Sequence, residues 1–395
     1  MHGPKGPRHG AGLNELSIIH DGSLLIRDGI LQEVGTTRRI ENLAEARGAV
    51  EISAVGHVVM PGFVDSHTHL AFPPPGAAGP DDDSAARAVR ASTAQRLEAR
   101  VRAYLEAMAR HGTTTVEVKT GCGPDKSAET KVLRVLSALK HEPLDVISSF
   151  LFRLAPLDGF QAAADWVLTE LLPKIRRRRL AYFADVVWEC EPARHQCFAR
   201  YLETARHLGF ACKIHADQLG SGAAIAAAVE HLVVSIDHLE HATPAEAALL
   251  AGSGTMAVLL PCASFQSGGC DAPGRALIDA GVAVALATNF NPHHTPTLNM
   301  QTVVALACLR MGMTAAEAIS AATINGAHAL GCAARVGSLE FGKSADVLIL
   351  NVSDYHELAH DFGMNLVHMT MKRGKIIYTE GEVARRAAED LRPVW

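Results

Sequence analysis

Residues 63–69 read Phe-Val-Asp-Ser-His-Thr-His, a short apolar run that ends in polar side chains. The same pattern returns three times, at 211–215, 233–238 and 282–289. Buried strands of a parallel barrel are near-continuous apolar runs, and the chemistry of such barrels lies at the C-terminal ends of the strands. The series therefore predicts a barrel whose polar strand ends converge on one point, which suits a bound divalent metal.

Further apolar runs lie between these segments, separated by helical patterns. One helical pattern covers residues 85–110, where apolar residues recur near one face. The predicted strands lie near 63–66, 114–118, 146–151, 184–188, 211–215, 233–237, 257–260 and 282–287. Eight strands alternating with helices predict an α/β fold, a (β/α)₈ TIM barrel over residues 61–333.

Both ends of the chain have a different character, with short strands separated by turns. Runs at 16–19 and 23–26 flank His20-Asp21-Gly22, and similar runs lie within 345–378. We expect residues 1–60 and 334–395 to pair as one small, discontinuous β-sandwich domain.

Composition argues against several classes of protein. The net charge of −5 and the single dense basic run, Arg176–Arg179, disfavour a nucleic-acid partner. Eight cysteines without paired spacing indicate reduced thiols. Residues 1–14 lack the apolar region of a secretory signal, and no run of about 18 apolar residues predicts a membrane span. We expect a cytoplasmic protein that acts on a small molecule, without a membrane partner, and a homodimer is the candidate assembly.

Histidines follow three of the predicted strands. Alternation along a strand puts Asp65, His67 and His69 on one face, and His215 and His238 end the fifth and sixth strands. A lone strand histidine is more often a hydrogen-bonded core residue than a ligand, and a His-x-His pair alone is weak evidence. Their delivery to the same edge of a barrel is what favours a metal centre.

The same residues carry a family resemblance. Residues 61–70, Pro-Gly-Phe-Val-Asp-Ser-His-Thr-His-Leu, resemble the opening strand of the amidohydrolase superfamily. Further segments resemble the imidazolonepropionase family within it, in the right order: 113–121, 213–219, 237–240, 257–261 and 287–292. The resemblance implies hydrolysis of the lactam C–N bond of imidazolonepropionate in histidine degradation, with one Zn²⁺ or Fe ion as cofactor.

The resemblance also implies roles for single residues. His67, His69 and His215 correspond to metal ligands, and Asn289 stands where the family has an aspartate ligand. His238 corresponds to the residue beside the attacking water. The candidate catalytic residues are His238, Asn289 and Gln218, and the candidate substrate-binding residues are Glu117, Lys119, Cys122, Arg153 and His293.

The chain departs from the family pattern in four places. Asn289 replaces the aspartate, and Cys122 replaces a tyrosine. Residues 152–154, Phe-Arg-Leu, stand where a histidine is expected, and residues 71–76 lack the family's arginine for the substrate carboxylate. Arg153 is the candidate for gripping that carboxylate with two parallel hydrogen bonds, and a surface ion pair is its alternative role.

Other interpretations stay open at this point. The site could catalyse another amidohydrolase reaction, such as deamination of a related ring, or could be inactive because Asn289 cannot take a proton. Residues 356–360 match the His-Glu-x-x-His pattern of metalloproteases, but the third histidine of the extended pattern would fall at Leu366. The lysine that bridges two metals in some relatives is missing near residues 189–191, so we expect one metal.

Overall fold

The computed structural model describes residues 6–74, 82–121, 125–153, 160–189, 191–216 and 222–381. Its strands are β1 (Gly22–Arg27), β2 (Ile30–Thr36), β3 (Val58–Pro61), β4 (Phe63–Asp65), β5 (Thr113–Lys119), β6 (Asp145–Phe152), β7 (Phe183–Trp188), β8 (Ala211–Ala216), β9 (Ser235–Asp237), β10 (Met256–Leu259), β11 (Val284–Leu286), β12 (Val347–Leu350), β13 (Val367–Lys372) and β14 (Lys375–Thr379).

Helices lie between most of these strands. The α-helices are α1 (Thr37–Glu41), α2 (Asp82–Ala91), α3 (Ala94–Arg110), α4 (Lys126–Ala138), α5 (Phe160–Trp166), α6 (Leu172–Arg177), α7 (Pro192–His207), α8 (Gly222–Glu230), α9 (Pro244–Ala251), α10 (Pro261–Ser267), α11 (Gly274–Asp279), α12 (Met300–Met311), α13 (Ala315–Ser320), α14 (Gly326–Ala329) and α15 (Glu357–His360). Gly10–Asn14 and Ala44–Ala46 are 3₁₀ turns, and Val167–Leu171 and Ala321–Asn325 are π-helical. Over the described ranges, no helix combines the length and apolarity that crossing a membrane requires.

The predicted helical stretch 85–110 is two helices instead of one. Helix α2 ends at Ala91, and α3 begins after Thr93, whose side chain accepts a hydrogen bond from the Arg96 backbone N–H. Threonine satisfies an otherwise unpaired N–H at a helix start, so it favours a new helix there. Helix α3 buries the expected face, formed by Leu97, Val101, Leu105 and Met108.

Strands β4 to β11 form one parallel sheet in sequence order, and the TIM-barrel prediction is confirmed. Gly62 allows β4 to start close to β5, because a Cβ there would overlap the Thr114 side chain. The barrel closes just beyond its first and last strands, where Thr68 bridges Phe290.

Two antiparallel sheets stand beside the barrel. Strands β1 and β2 form one, and the other has the order β14-β13-β12-β3. Its strand β3 comes from the N-terminal part of the chain, and pairs with β12 from the C-terminal part. Both ends of the chain thus contribute to one sheet, while the predicted domain boundaries stay a prediction.

A buried ion-pair cluster joins the four-stranded sheet to the barrel. The Nζ atom of Lys372 on β13 lies 2.8 Å from Asp145 Oδ2 and 2.6 Å from Asp346 Oδ2. Arg373 also pairs with Asp145. Because Asp145 is the first residue of β6, this cluster lies at the opposite end of the barrel from the strand ends that carry the histidines.

We expect Lys372→Met to lower the free energy of unfolding by about 3–5 kcal/mol, because it leaves two carboxylates buried with one cation fewer. Denaturant unfolding followed by circular dichroism measures this change. Lys375→Met, at an exposed position on β14, is the control and should stay within about 0.5 kcal/mol. Equal stability of the two variants would show that the cluster does not stabilise the fold.

Candidate active site

Three histidines come together at the C-terminal ends of two barrel strands. His67 and His69 follow β4, and His215 lies near the end of β8. The Nε2 atoms of His67 and His69 are 3.1 Å apart, and one ligand nitrogen from each of the three rings lies within 4.8 Å of the others. Tetrahedral Zn–N bonds of about 2.0–2.1 Å place ligand nitrogens about 3.4 Å apart, so the cluster fits one divalent metal after small adjustments.

The hydrogen bonds of these rings also fit a metal site. His67 Nδ1 lies 2.7 Å from Asp237 Oδ2, so it donates to this carboxylate and turns the Nε2 lone pair toward the other histidines. The buried Nδ1 of His215 has no hydrogen-bond partner in the described part of the chain. A buried nitrogen without a partner is costly, and coordination is one way to remove that cost.

The electrostatics of the cluster keep the His67 and His215 rings neutral. Burial lowers the pKa of His67 well below its usual value, and the nearby Lys119 ammonium lowers it further. Burial, with the neighbouring His238 and His67 rings, likewise lowers the pKa of His215. Metal ligation needs unprotonated imidazole, so both rings are in the required state at neutral pH.

His238 stands beside this cluster, one residue beyond β9. Its ring centroid is 4.6 Å from that of His215, and its Nδ1 lies 3.0 Å from Glu240 Oε1. Sequence reasoning assigned no role to Glu240, although its place two residues after His238 was visible. The carboxylate holds the ring in one tautomer, with the proton on Nδ1.

Strained backbone marks the same strand ends. His238 and Leu239 have φ values of +77° and +76°, and Asn289 has φ +53°. Left-handed conformations are uncommon outside glycine and cluster at functional sites.

The backbone of Asn289 is anchored on both sides to the segment that carries His67 and His69. Thr288 donates to Asp65 from its backbone N–H at 3.0 Å and from its hydroxyl at 2.6 Å. On the other side, Phe290 O accepts from the His69 backbone N–H at 2.7 Å. Burial raises the pKa of Asp65 to about 7, against the opposing effect of the Thr288 hydrogen bonds.

Glu117 and Lys119 lie inside the barrel, each less than 2% exposed. Lys119 Nζ pairs with Asp185 and lies 2.7 Å from Asp237 Oδ2. Glu117 Oε2 lies 2.6 Å from Lys213 Nζ. Their assignment to substrate binding stays a prediction, and this complete burial among ion-pair partners disfavours it.

The family model described as the amidohydrolase family matches residues 58–377, which include the histidine cluster and the barrel. The chain belongs to the amidohydrolase family. Curated relatives include the imidazolonepropionase of Brevibacillus brevis, 39% identical with 97% of this chain and 96% of the relative covered. The imidazolonepropionase of Porphyromonas gingivalis is 37% identical, with 90% and 89% covered. The imidazolonepropionase-like resemblance predicted from the sequence is confirmed.

Solved structures of two deaminases share this fold. A 5-methylcytosine deaminase from Klebsiella pneumoniae has a TM-score of 0.72 and 17% identity, with 91% of this chain and 95% of that chain covered. An adenosine deaminase from Xanthomonas campestris with bound zinc has a TM-score of 0.68 and 20% identity, with 95% and 94% covered. At such identities the likeness supports the fold alone.

The remaining candidate site residues of this amidohydrolase are Cys122, Gln218, Arg153 and His293. Cys122 and Gln218 lie outside the described residues. Arg153 directly follows β6. Its side chain lies beside Gly121, because a Cβ on that glycine would be 3.7 Å from the Arg153 Nε. The half-buried His293 donates its backbone N–H to Asn291 Oδ1 at 3.0 Å. Both residues follow strand ends on the histidine side of the barrel, and their contact with substrate stays a prediction.

The metalloprotease interpretation of residues 356–360 is wrong. His356 and His360 have side chains that are 63% and 89% exposed, and they pair with Asp354 and Asp361. The helix of this segment, α15, is a single turn that begins after His356. Two histidines must share one helix face to form such a site, and this segment does not provide that face.

Proposed function

We propose that this chain hydrolyses the lactam C–N bond of imidazolonepropionate to give formiminoglutamate in histidine degradation. The observation that carries the proposal is the cluster of His67, His69 and His215 with His238 beside it. It lies in a chain that covers 96% of a curated imidazolonepropionase. Cyclic-amide hydrolysis needs an activated water and a proton acceptor within reach of one another, and this cluster supplies places for both.

The proposed cofactor is one divalent metal, Zn²⁺ or Fe. Within the described ranges, the three histidines are the group with metal-ligand spacing. Asn289 offers an amide oxygen as a fourth, neutral ligand. A divalent ion in such a site polarises a carbonyl and lowers the pKa of water toward about 7.

His238 is the proposed proton carrier. Its Nδ1 faces the Glu240 carboxylate and carries the ring proton, so the basic lone pair is on Nε2. That atom can accept the proton of the attacking water and pass it to the ring nitrogen as the C–N bond breaks. Asn289 cannot share this task, because an amide does not take a proton at neutral pH.

The test is incubation of the purified, metal-analysed protein with imidazolonepropionate, with ring opening followed by loss of ultraviolet absorbance. We expect turnover without ammonia release. Ammonia release from a related ring would instead identify a deaminase. A protein that contains metal but opens no ring would be the inactive homologue.

We expect Arg153→Met to raise KM for imidazolonepropionate by about 10–100-fold, since a hydrogen bond to a charged group contributes about 1.5–3 kcal/mol. KM for a neutral ring analogue without the carboxylate should change far less. Arg200→Met is the control, because Arg200 pairs with Asp165 on the outer helices. Equal effects on both substrates would remove Arg153 from the carboxylate site.

We also propose a cytoplasmic location and a homodimer. The cysteines in the described residues are free thiols, which supports a reducing compartment. The mass of the purified protein in solution tests the homodimer.

A further inference from the structure

The interior of this barrel holds charged residues where bulky apolar side chains are usual. The set spans β5, β7, β8 and β9, and each member is less than 2% exposed: Glu117, Lys119, Asp185, Lys213 and Asp237. Burying ions is costly, and apolar residues of similar volume often stabilise a fold equally well. A network of this size therefore points to a role beyond stability.

The network ends on a ligand of the candidate metal site. Lys119 Nζ and His67 Nδ1 both lie 2.7 Å from the same oxygen, Asp237 Oδ2. Asp185 holds Lys119 from another strand. The other oxygen, Asp237 Oδ1, is buried and has no hydrogen-bond partner among the residues that the structure describes. The orientation of this carboxylate thus depends on Lys119 and His67.

We propose that Lys119 is a positioning residue for His67, acting through Asp237. The Lys119 ammonium holds Oδ2 at the point where it receives the His67 Nδ1 proton, and this keeps Nε2 directed at the cluster. Without Lys119, the carboxylate would be held through His67 alone and could rotate with it. The inference rests on the metal site of the proposed function, and it gives Lys119 a role other than substrate binding.

The test is the zinc affinity of full-length apo protein, measured by competition with a chromophoric chelator. We expect Lys119→Met to weaken Zn²⁺ binding by about 10–100-fold, the usual cost of losing a partner that orients a ligand. The visible spectrum of the Co²⁺-loaded variant should also change, since a turned imidazole alters the ligand geometry.

Lys372→Met is the matched control. Lys372 is also a buried lysine between two aspartates, but its cluster lies at the opposite end of the barrel. The zinc affinity of the Lys372→Met protein should stay within about twofold of the wild type, because distant sites that share no partner act independently. If Lys119→Met does not fold, Lys119→Met/Asp185→Asn removes one charge of each sign and should show the same loss of affinity.

Equal zinc affinities of the Lys119→Met and Lys372→Met proteins would overturn the inference. An increase of KM in Lys119→Met at unchanged zinc affinity would also overturn it, and would restore the substrate-binding role. Failure of the proposed function has a different signature. A wild-type protein that binds zinc but opens no imidazolonepropionate would refute that function, while the affinity comparison would still decide the role of Lys119.

Discussion

His67→Ala and His215→Ala should each purify with only traces of metal. Each ring supplies one of the three imidazole nitrogens that lie within 4.8 Å of one another, and two nitrogens do not hold a divalent ion tightly. Ring opening should fall by about 10³-fold or more, because losing the Lewis acid removes several kcal/mol of transition-state stabilisation. Elemental analysis and the ultraviolet assay on the same samples measure both effects.

His356→Ala and His360→Ala are the controls for this experiment. Both remove a histidine, yet both side chains are largely exposed and lie outside the barrel interior. Metal content and activity should equal those of the wild type. Loss of metal from these variants, with retention in His67→Ala, would place the metal centre elsewhere and contradict the barrel site.

Asn289→Asp should raise the rate of ring opening at neutral pH by about 10²–10⁴-fold, the usual contribution of a positioned general base. The two side chains have the same shape, and aspartate tolerates the left-handed backbone that Asn289 adopts at φ +53°. The hydrogen bonds from Thr288 to Asp65 and from His69 to Phe290 do not involve the Asn289 side chain and should persist. The measurement is kcat/KM together with metal content.

Asn291→Asp is a matched control for the added charge. Asn291 and Asn289 are each 8% exposed, and an aspartate at 291 can still accept the His293 backbone N–H. This variant should not gain activity. A fall in the rate of Asn289→Asp with metal retained would mean that the site is adapted to a neutral ligand and that His238 alone handles the proton.

The barrel strands were predictable because each is buried on both faces. The run predicted near 146–151 is β6, Asp145–Phe152, and the run near 184–188 is β7, Phe183–Trp188. Burial on both faces favours apolar residues, which are visible without knowledge of the neighbours, although β5, β7, β8 and β9 also carry buried charges. The break between α2 and α3 was missed, because apolar periodicity continues through the capping residue Thr93.

The histidine cluster was predictable for a related reason. Parallel strands of a barrel deliver their C-terminal ends to one rim, so His67, His69, His215 and His238 had to lie near one another once the strands were assigned. The contact of Glu240 with His238 was missed because it depends on the left-handed backbone at His238 and Leu239. Nothing in the local sequence predicts that conformation.

The amino-acid sequence by itself determined the barrel, the rim that carries the chemistry and the histidines that meet there, because these follow from local patterns repeated along the chain. Only the tertiary structure decided which charges lie opposite Glu117 and Lys119. Lys119 contacts Asp185 and Asp237, which are 66 and 118 residues away in the sequence. His67 contacts Asp237, which is 170 residues away. A charged residue at a strand end has the same local pattern whether it faces substrate or a buried counter-ion. Its role is decided by which charges the fold places opposite it, since a buried charge persists only where a partner compensates its lost hydration.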